Sequence, residues 1–273
     1  MKKTILNQKF KFIILIFLSF SFACGQSKSK EENTDDKDEG TELTQVAPNT
    51  LSEEESTEGW ELLFDGKTFN GWRGIGIETV PEGHWKIEDG CIRKIASGDV
   101  PTLPDGQPAK GGDLITDKTF DNFILTFEWK ISKAGNSGVK YNVIEEYSIK
   151  NGSTGALGFE YQVLDDKEHK DNLNPTHRAA SLYDMIEAQG KTLKPVGEFN
   201  TAKIVFNKNH GEHWLNGVKV VEYDLESPEF QALFEKSKYH KHEGFTQHKI
   251  ARIVLQDHGN DCWYRNIKIQ KLD

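Results

Sequence analysis

Little cysteine, no basic excess and no long apolar run: each shortage removes a class of function. The chain carries three cysteines, Cys24, Cys91 and Cys262. None lies in a Cys/His arrangement that would make a thiolate nucleophile. Lys and Arg total 34 against 43 Asp and Glu, for a net charge of −9. That balance leaves no electrostatic footprint for nucleic acid. The apolar run Phe12 to Phe22 is too short to span a bilayer comfortably. No internal repeat is present, and helix signals are few. One short helix is expected, with Ser227 as N-cap, Pro228 at the first position and an apolar stripe to Phe234.

What is present begins with a targeting segment. Residues 1–23 read as a signal peptide, in which Lys2, Lys3, Lys9 and Lys11 precede the apolar run. Ser21-Phe22-Ala23-Cys24-Gly25 resembles a bacterial lipobox, with the bulky Phe22 as its departure. Cys24 is therefore the expected lipidation site; an ordinary secretory signal cleaved near Ala23 is the alternative. Residues 24–58 follow as an acidic linker, since positions 27–58 hold 11 acidic and 3 basic residues, too polar a composition to order itself. The expected location is the cell envelope, facing the periplasm or the cell surface, with the lipid as the membrane contact. Residues 59–273 hold all six Trp and suit one all-β domain. An exported chain can oxidise a thiol pair. Cys91 and Cys262 sit near the first and last strands, and a disulfide and two buried free thiols both stay open.

Within that domain the strands have an unusual polar side. Side chains of a strand alternate between faces. In 158–165, Phe159, Tyr161 and Val163 oppose Glu160 and Gln162; in 253–258, Ile253 and Leu255 oppose Gln256 and His258. In 139–144, Val139, Tyr141 and Val143 oppose Lys140 and Asn142; in 123–131, five apolar residues from Phe123 to Ile131 oppose Glu128 and Lys130. One apolar face per strand implies antiparallel sheets resting on a core. Further strands are expected at 84–88, 91–95, 113–116, 202–207 and 263–271, and a hairpin turns on Asn216-Gly217. Strands every dozen residues mean a β-sandwich or barrel. A polar face of Glu, Gln, Lys, Asn and His, with little Ser or Thr, suggests a polar-ligand site with an acid/base pair; a solvated outer face is the bland alternative. Loops 96–112 and 165–183 are long enough to shape such a site.

Local strings then converge on a known family. They are Trp60-Glu-Leu-Leu-Phe-Asp-Gly-Lys-Thr-Phe-Asn-Gly-Trp72, Gly135-Asn136-Ser137-Gly138-Val-Lys-Tyr, Phe159-Glu-Tyr-Gln-Val-Leu-Asp165, Ser181-Leu-Tyr-Asp184, Leu255-Gln-Asp-His-Gly259 and Tyr264-Arg-Asn-Ile-Lys-Ile269. Over residues 60 to 272 the chain resembles the 3-keto-disaccharide hydrolase family. The resemblance implies an all-β, concanavalin A-like β-sandwich (jelly roll) of two curved antiparallel sheets with few short helices. It also implies a substrate, a 3-keto oligosaccharide or glycoside, and a functional partner, a sugar 3-oxidoreductase that makes the ketone. Many members carry an Arg shortly after Asn-Ser-Gly, where this chain has Lys140 and Asn142.

The implied chemistry is removal of the C2 proton, β-elimination of the C1 substituent and hydration. It needs a base, an enolate stabiliser and a proton donor. Glu160 and His258 are the candidate acid/base pair, with His258 preferred as base because its free pKa lies near neutrality. Lys140 is the candidate enolate stabiliser. Glu128, Asn136, Gln162, Asp165 and Gln256 are candidate substrate-binding residues. A divalent metal (Ca²⁺, Mg²⁺ or Mn²⁺) on Glu160, Asp165 and a carbonyl or His169 is the alternative stabiliser. His240-x-His242 reads as a solvated loop, Arg265 as an ion-pair partner, and Trp72 and Trp85 as possible stacking platforms. Glu160-x-Gln162-x-x-Asp165 has the spacing of a retaining-glucanase strand, but the middle carboxylate is an amide here. The rival readings are a non-catalytic carbohydrate-binding lectin module and a conventional retaining glucanase.

Overall fold

The computed structural model describes residues 47–96, 112–151 and 155–273. The lipidation site Cys24, the signal peptide and most of the expected linker lie outside these residues, as does most of loop 96–112. Two antiparallel sheets face each other. The larger runs in the order β11 (Val218–Asp224), β10 (His210–Leu215), β9 (Asn200–Asn207), β6 (Phe123–Ile131), β13 (Cys262–Lys271), β4 (Cys91–Lys94) and β3 (Trp85–Glu88), with β1 (Trp60–Leu62) also paired to β13. The smaller runs β2 (Trp72–Gly74), β5 (Leu114–Thr116), β12 (Arg252–Leu255), β7 (Asn136–Val143) and β8 (Phe159–Leu164). Three short α-helices, α1 (Glu53–Thr57), α2 (Glu145–Lys150) and α3 (Pro228–Phe234), and two 3-10 turns, Lys170–Leu173 and Pro175–His177, complete the described elements. The all-β sandwich expectation holds.

The alternation that suggested strands also builds the core. Phe123, Leu125, Phe127, Trp129 and Ile131 of β6 are buried, and the residues between them are half-exposed. They meet Val139 and Tyr141 of β7 and Phe159, Tyr161 and Val163 of β8. Aromatic edges interlock between the sheets, Phe127 on Tyr161 with ring centroids 5.4 Å apart. Burying each such side chain contributes about 2 kcal/mol. His213 of β10 is the one imidazole in this core. Its Nδ1 faces Ala180 O at 3.0 Å and its Nε2 faces the Tyr141 hydroxyl at 2.8 Å, which is 2.7 Å from the Tyr223 hydroxyl. A carbonyl only accepts, so Nδ1 carries the proton and Nε2 accepts from Tyr141. Burial drives the His213 pKa from 6.5 down to about 4.

One expectation needs correction, one holds with a difference of orientation, and one open question closes. Residues 47–58, assigned to the linker, belong to the folded unit. Ser52 and Glu55 form a capping box at α1, Glu55 pairs with Lys268 of β13 at 2.7 Å, and the Asn49 and Asn266 side chains bond each other's backbone N–H. Local signals for that box were present in Ser-x-x-Glu, but an acidic composition masked them. Arg265 is an ion-pair partner as read, of Glu128 at 2.7 Å; strand alternation would put it on the face of Ile267 and Ile269, but a bulge between Arg265 and Lys268, with Asn266 at φ +50°, rephases β13 and turns it outward. Of the two open readings for the cysteines, free thiols hold, both buried. Cys262 pairs in register with Lys94, three residues along β4 from Cys91, so the strands meet but the thiols do not.

Candidate active site

On the smaller sheet the expected polar face is not solvated. Every residue of β7 and of β8 is buried on both sides. A loop at 155–157, the end of the 165–183 loop and the segment 238–242 cover it and leave a cavity of about 220 Å³. Asn136, Lys140, Glu160, Gln162, Gln256 and His258 line that cavity together. Strand register explains the grouping. Lys140 lies opposite Glu160 and Gly138 opposite Gln162 across the β7–β8 ladder, while Gln256 and His258 follow the end of β12 on the other side of β7. Gly138 leaves room for the carboxyl group beside it, because a Cβ there would fall 2.4 Å from Glu160 Oε1.

Unpartnered polar atoms mark this cavity more clearly than its size does. Two other cavities, of about 370 and 380 Å³, are larger. Yet of six buried side-chain N or O atoms without a partner among the described residues, four belong here: both polar atoms of Gln162, Gln256 Oε1 and Asn136 Oδ1. An unsatisfied buried group costs about 1–3 kcal/mol, so four aimed into one cavity suit a polar occupant rich in hydroxyl groups.

The charges are arranged around Glu160. Lys140 Nζ lies 3.9 Å from Glu160 Oε2 and 3.8 Å from Asp113 Oδ2, and donates to Ala156 O at 3.0 Å. Burial raises the Glu160 pKa, with Asp113 adding to it, against the pull of Lys140, Lys238 and His177. Burial likewise raises Asp113, against Lys140. A carboxyl group so placed holds its proton further up the pH scale than a solvated one. Beneath the site, the buried Asp257 bonds His84 and pairs with Lys94 at 2.9 Å.

Two candidates fall away. Glu128 sits on the outer face of the larger sheet, bonded to Arg265 at 2.7 Å and Asn266 at 2.6 Å. Its strand alternates as expected, but it belongs to the other sheet. Asp165 stands past the end of β8 and spends its carboxylate on turn amides, accepting from Ala134 N at 2.8 Å and Lys167 N at 3.0 Å. It lines a different cavity. The expected metal ligands Glu160, Asp165 and His169 therefore do not converge. Among the described residues the trio with suitably close ligand atoms is His210, Glu212 and Glu222, where Lys219 already bridges both carboxylates at 3.2 and 2.7 Å. Trp72 and Trp85 are buried and donate to Leu63 O and Gly112 O, so they are core.

The loops supply residues that strand periodicity could not reveal. Tyr183, whose N–H donates to Glu160 O at 3.0 Å, lines the cavity between the His177 ring at 4.2 Å and the Lys238 ammonium at 4.4 Å. Lys238, Tyr239, Lys241 and His242 line it too, so the segment read as a solvated loop is a wall. Burial lowers the His242 pKa and pushes the Tyr239 hydroxyl well above its usual value, which leaves Tyr239 a hydrogen-bond donor.

Comparison with known proteins bears on the family and the fold. Residues 59–270 match the model of the 3-keto-alpha-glucoside-1,2-lyase-like domain. A Bacteroides thetaiotaomicron protein named 3-keto-disaccharide hydrolase is 40% identical over 242 residues, covering 79% of each chain. Among solved structures, a candidate glycosyl hydrolase of Parabacteroides distasonis superposes with a TM-score of 0.70 at 29% identity, over 83% of this chain and 100% of its own. A second from that organism gives 0.54 at 24%, over 74% and 99%.

Proposed function

The chain belongs to the 3-keto-alpha-glucoside-1,2-lyase-like family, and from that premise we propose that it cleaves the glycosidic bond of 3-keto sugars by elimination and hydration. The C3 ketone makes the C2 proton acidic, because the carbanion is an enolate. His258 takes that proton. Lys140 stabilises the enolate oxygen. Glu160, whose proton burial holds further up the pH scale than usual, gives that proton to the glycosidic oxygen as the C1–O bond breaks. The product is an enone and a free alcohol. Water then adds across C1 and C2, so the net change is hydrolysis and no redox partner is consumed. Asn136, Gln162 and Gln256 hold ring hydroxyls. The four unpartnered carboxamide atoms around Glu160 carry this reading, since they ask for a ligand with many hydroxyl groups beside a proton donor.

A sugar 3-oxidoreductase must act first, because the ketone is what acidifies C2. The basic and apolar N-terminal segment and Cys24 support action in the cell envelope on a lipid anchor. The test is a panel of 3-keto glycosides in deuterated buffer with wild type, Glu160→Ala and His258→Ala. Elimination and hydration put deuterium at C2 of the product, and each variant should lose at least about a hundredfold in kcat. Product without deuterium points to direct displacement, and binding without turnover points to a lectin; either result sinks the proposal.

A further inference from the structure

Three ionisable groups, Asp113, Lys140 and Glu160, stand in a row beside the cavity, and the reaction above uses only two of them. Asp113 is buried just before β5. Its Oδ1 accepts from Asp257 N and its Oδ2 from Ala156 N, each at 2.8 Å. Oδ2 also lies 3.8 Å from Lys140 Nζ, which is 3.9 Å from Glu160 Oε2. The ammonium is thus held midway between two carboxyl groups, and among the described residues it donates a hydrogen bond to Ala156 O. There is no slack on that wall: a Cβ at Gly155 would come 3.1 Å from Asp113 Oδ2.

We propose that Asp113 is a positioning residue for the proton donor: it shares Lys140 with Glu160, so the ammonium cannot commit to Glu160 and the acid keeps its proton. The inference rests on reading Glu160 as the donor. A lysine paired with one buried carboxyl group favours the ionised form, whereas a second carboxylate competes for the lysine and repels the first. Lys140 from β7, Lys238 and Tyr239 from the 238–242 wall, His177 from the 165–183 loop and Asp113 all act on or face Glu160. Lys140 and Asp257 act on Asp113. The same carboxylate grips the backbone of Asp257, the residue before His258. One side chain therefore fixes both the donor's charge and the base's footing.

The test is the pH profile of kcat/KM in Asp113→Asn. Removing the negative charge hands Lys140 to Glu160, so the limb on which activity falls with rising pH should move acid-ward by about one unit. Turnover at neutral pH should then drop about tenfold, with KM little changed. A limb that stays in place overturns the inference. Because the carboxamide of that variant has one acceptor oxygen for two backbone amides, a second measurement uses Lys140→Gln. A lysine held between two carboxyl groups favours the ionised form of both, so a carbon-13 NMR titration should find Asp113 and Glu160 both moved base-ward in that variant relative to wild type. An unmoved Asp113 titration means the lysine is not shared and overturns the inference even if wild-type turnover is normal. Lack of turnover by the wild type on every 3-keto glycoside would instead remove the reaction reading, which the titration does not depend on.

Discussion

His213 makes the fold sensitive to acid in a way that can be isolated. Its folded pKa is about 4, against 6.5 when solvated, because burial disfavours the imidazolium. The depression means that the unfolded chain binds a proton first as the pH falls. The stability it reflects is fully present above about pH 6.5, is lost progressively between about 6.5 and 4, and is gone below. A depression of about 2.5 units at about 1.4 kcal/mol each is about 3 kcal/mol, a large part of a domain's net stability. Glu160 and Asp113 work in the opposite sense, since their raised pKa values make the folded state the better proton acceptor at mildly acid pH. Raw acid stability is therefore a mixture, and the comparison must be with His213→Gln, which cannot titrate. Urea unfolding followed by tryptophan fluorescence, at about pH 7.5 and about pH 4, should show the wild type losing about 3 kcal/mol of its advantage over the variant. An advantage that stays constant across that range would refute the reasoning. Ala180, the carbonyl partner of His213, lies just before Ser181 and Tyr183, so hydrogen exchange in that stretch should rise at the acid end.

Two further outcomes bear on the site. Gly138→Ala should fold normally, because the atom it displaces is the mobile end of Glu160, but kcat should fall about a hundredfold as the carboxyl group is pushed aside; steady-state kinetics on a 3-keto glycoside decides it. Gln162→Leu removes two unpartnered buried atoms, so thermal unfolding should show a gain of about 1–3 kcal/mol while KM rises at least about tenfold. A variant that loses stability there would mean Gln162 has partners in the free protein.

The cavity was legible in the sequence where strands run without interruption. Alternation along 136–143 and 159–164 puts Asn136, Lys140, Glu160 and Gln162 on one face, and the ladder between them does the rest. Alternation does not say which sheet a strand joins. Glu128 has the same pattern as Lys140, yet β6 was laid into the opposite sheet. It also fails where the backbone breaks step: the bulge at Asn266 reverses Arg265, and the chain leaves β8 before Asp165. Tyr183, Lys238, Tyr239 and His242 come from loops that have no period to read. Asp113 was hidden for another reason. A lone aspartate before a short apolar strand looks like a turn residue, and only its two amide bonds and its distance to Lys140 reveal its place.

The order of strands has a consequence for synthesis. β12 and β13 are the final strands in the chain, and each lies in the interior of its sheet, between β5 and β7 and between β4 and β6. A nascent chain halted before Arg252 would hold two split half-sheets with bare edges and no His258. Neither sheet is closed until the C-terminal segment is available, so the two halves of each sheet are joined by the last strands made.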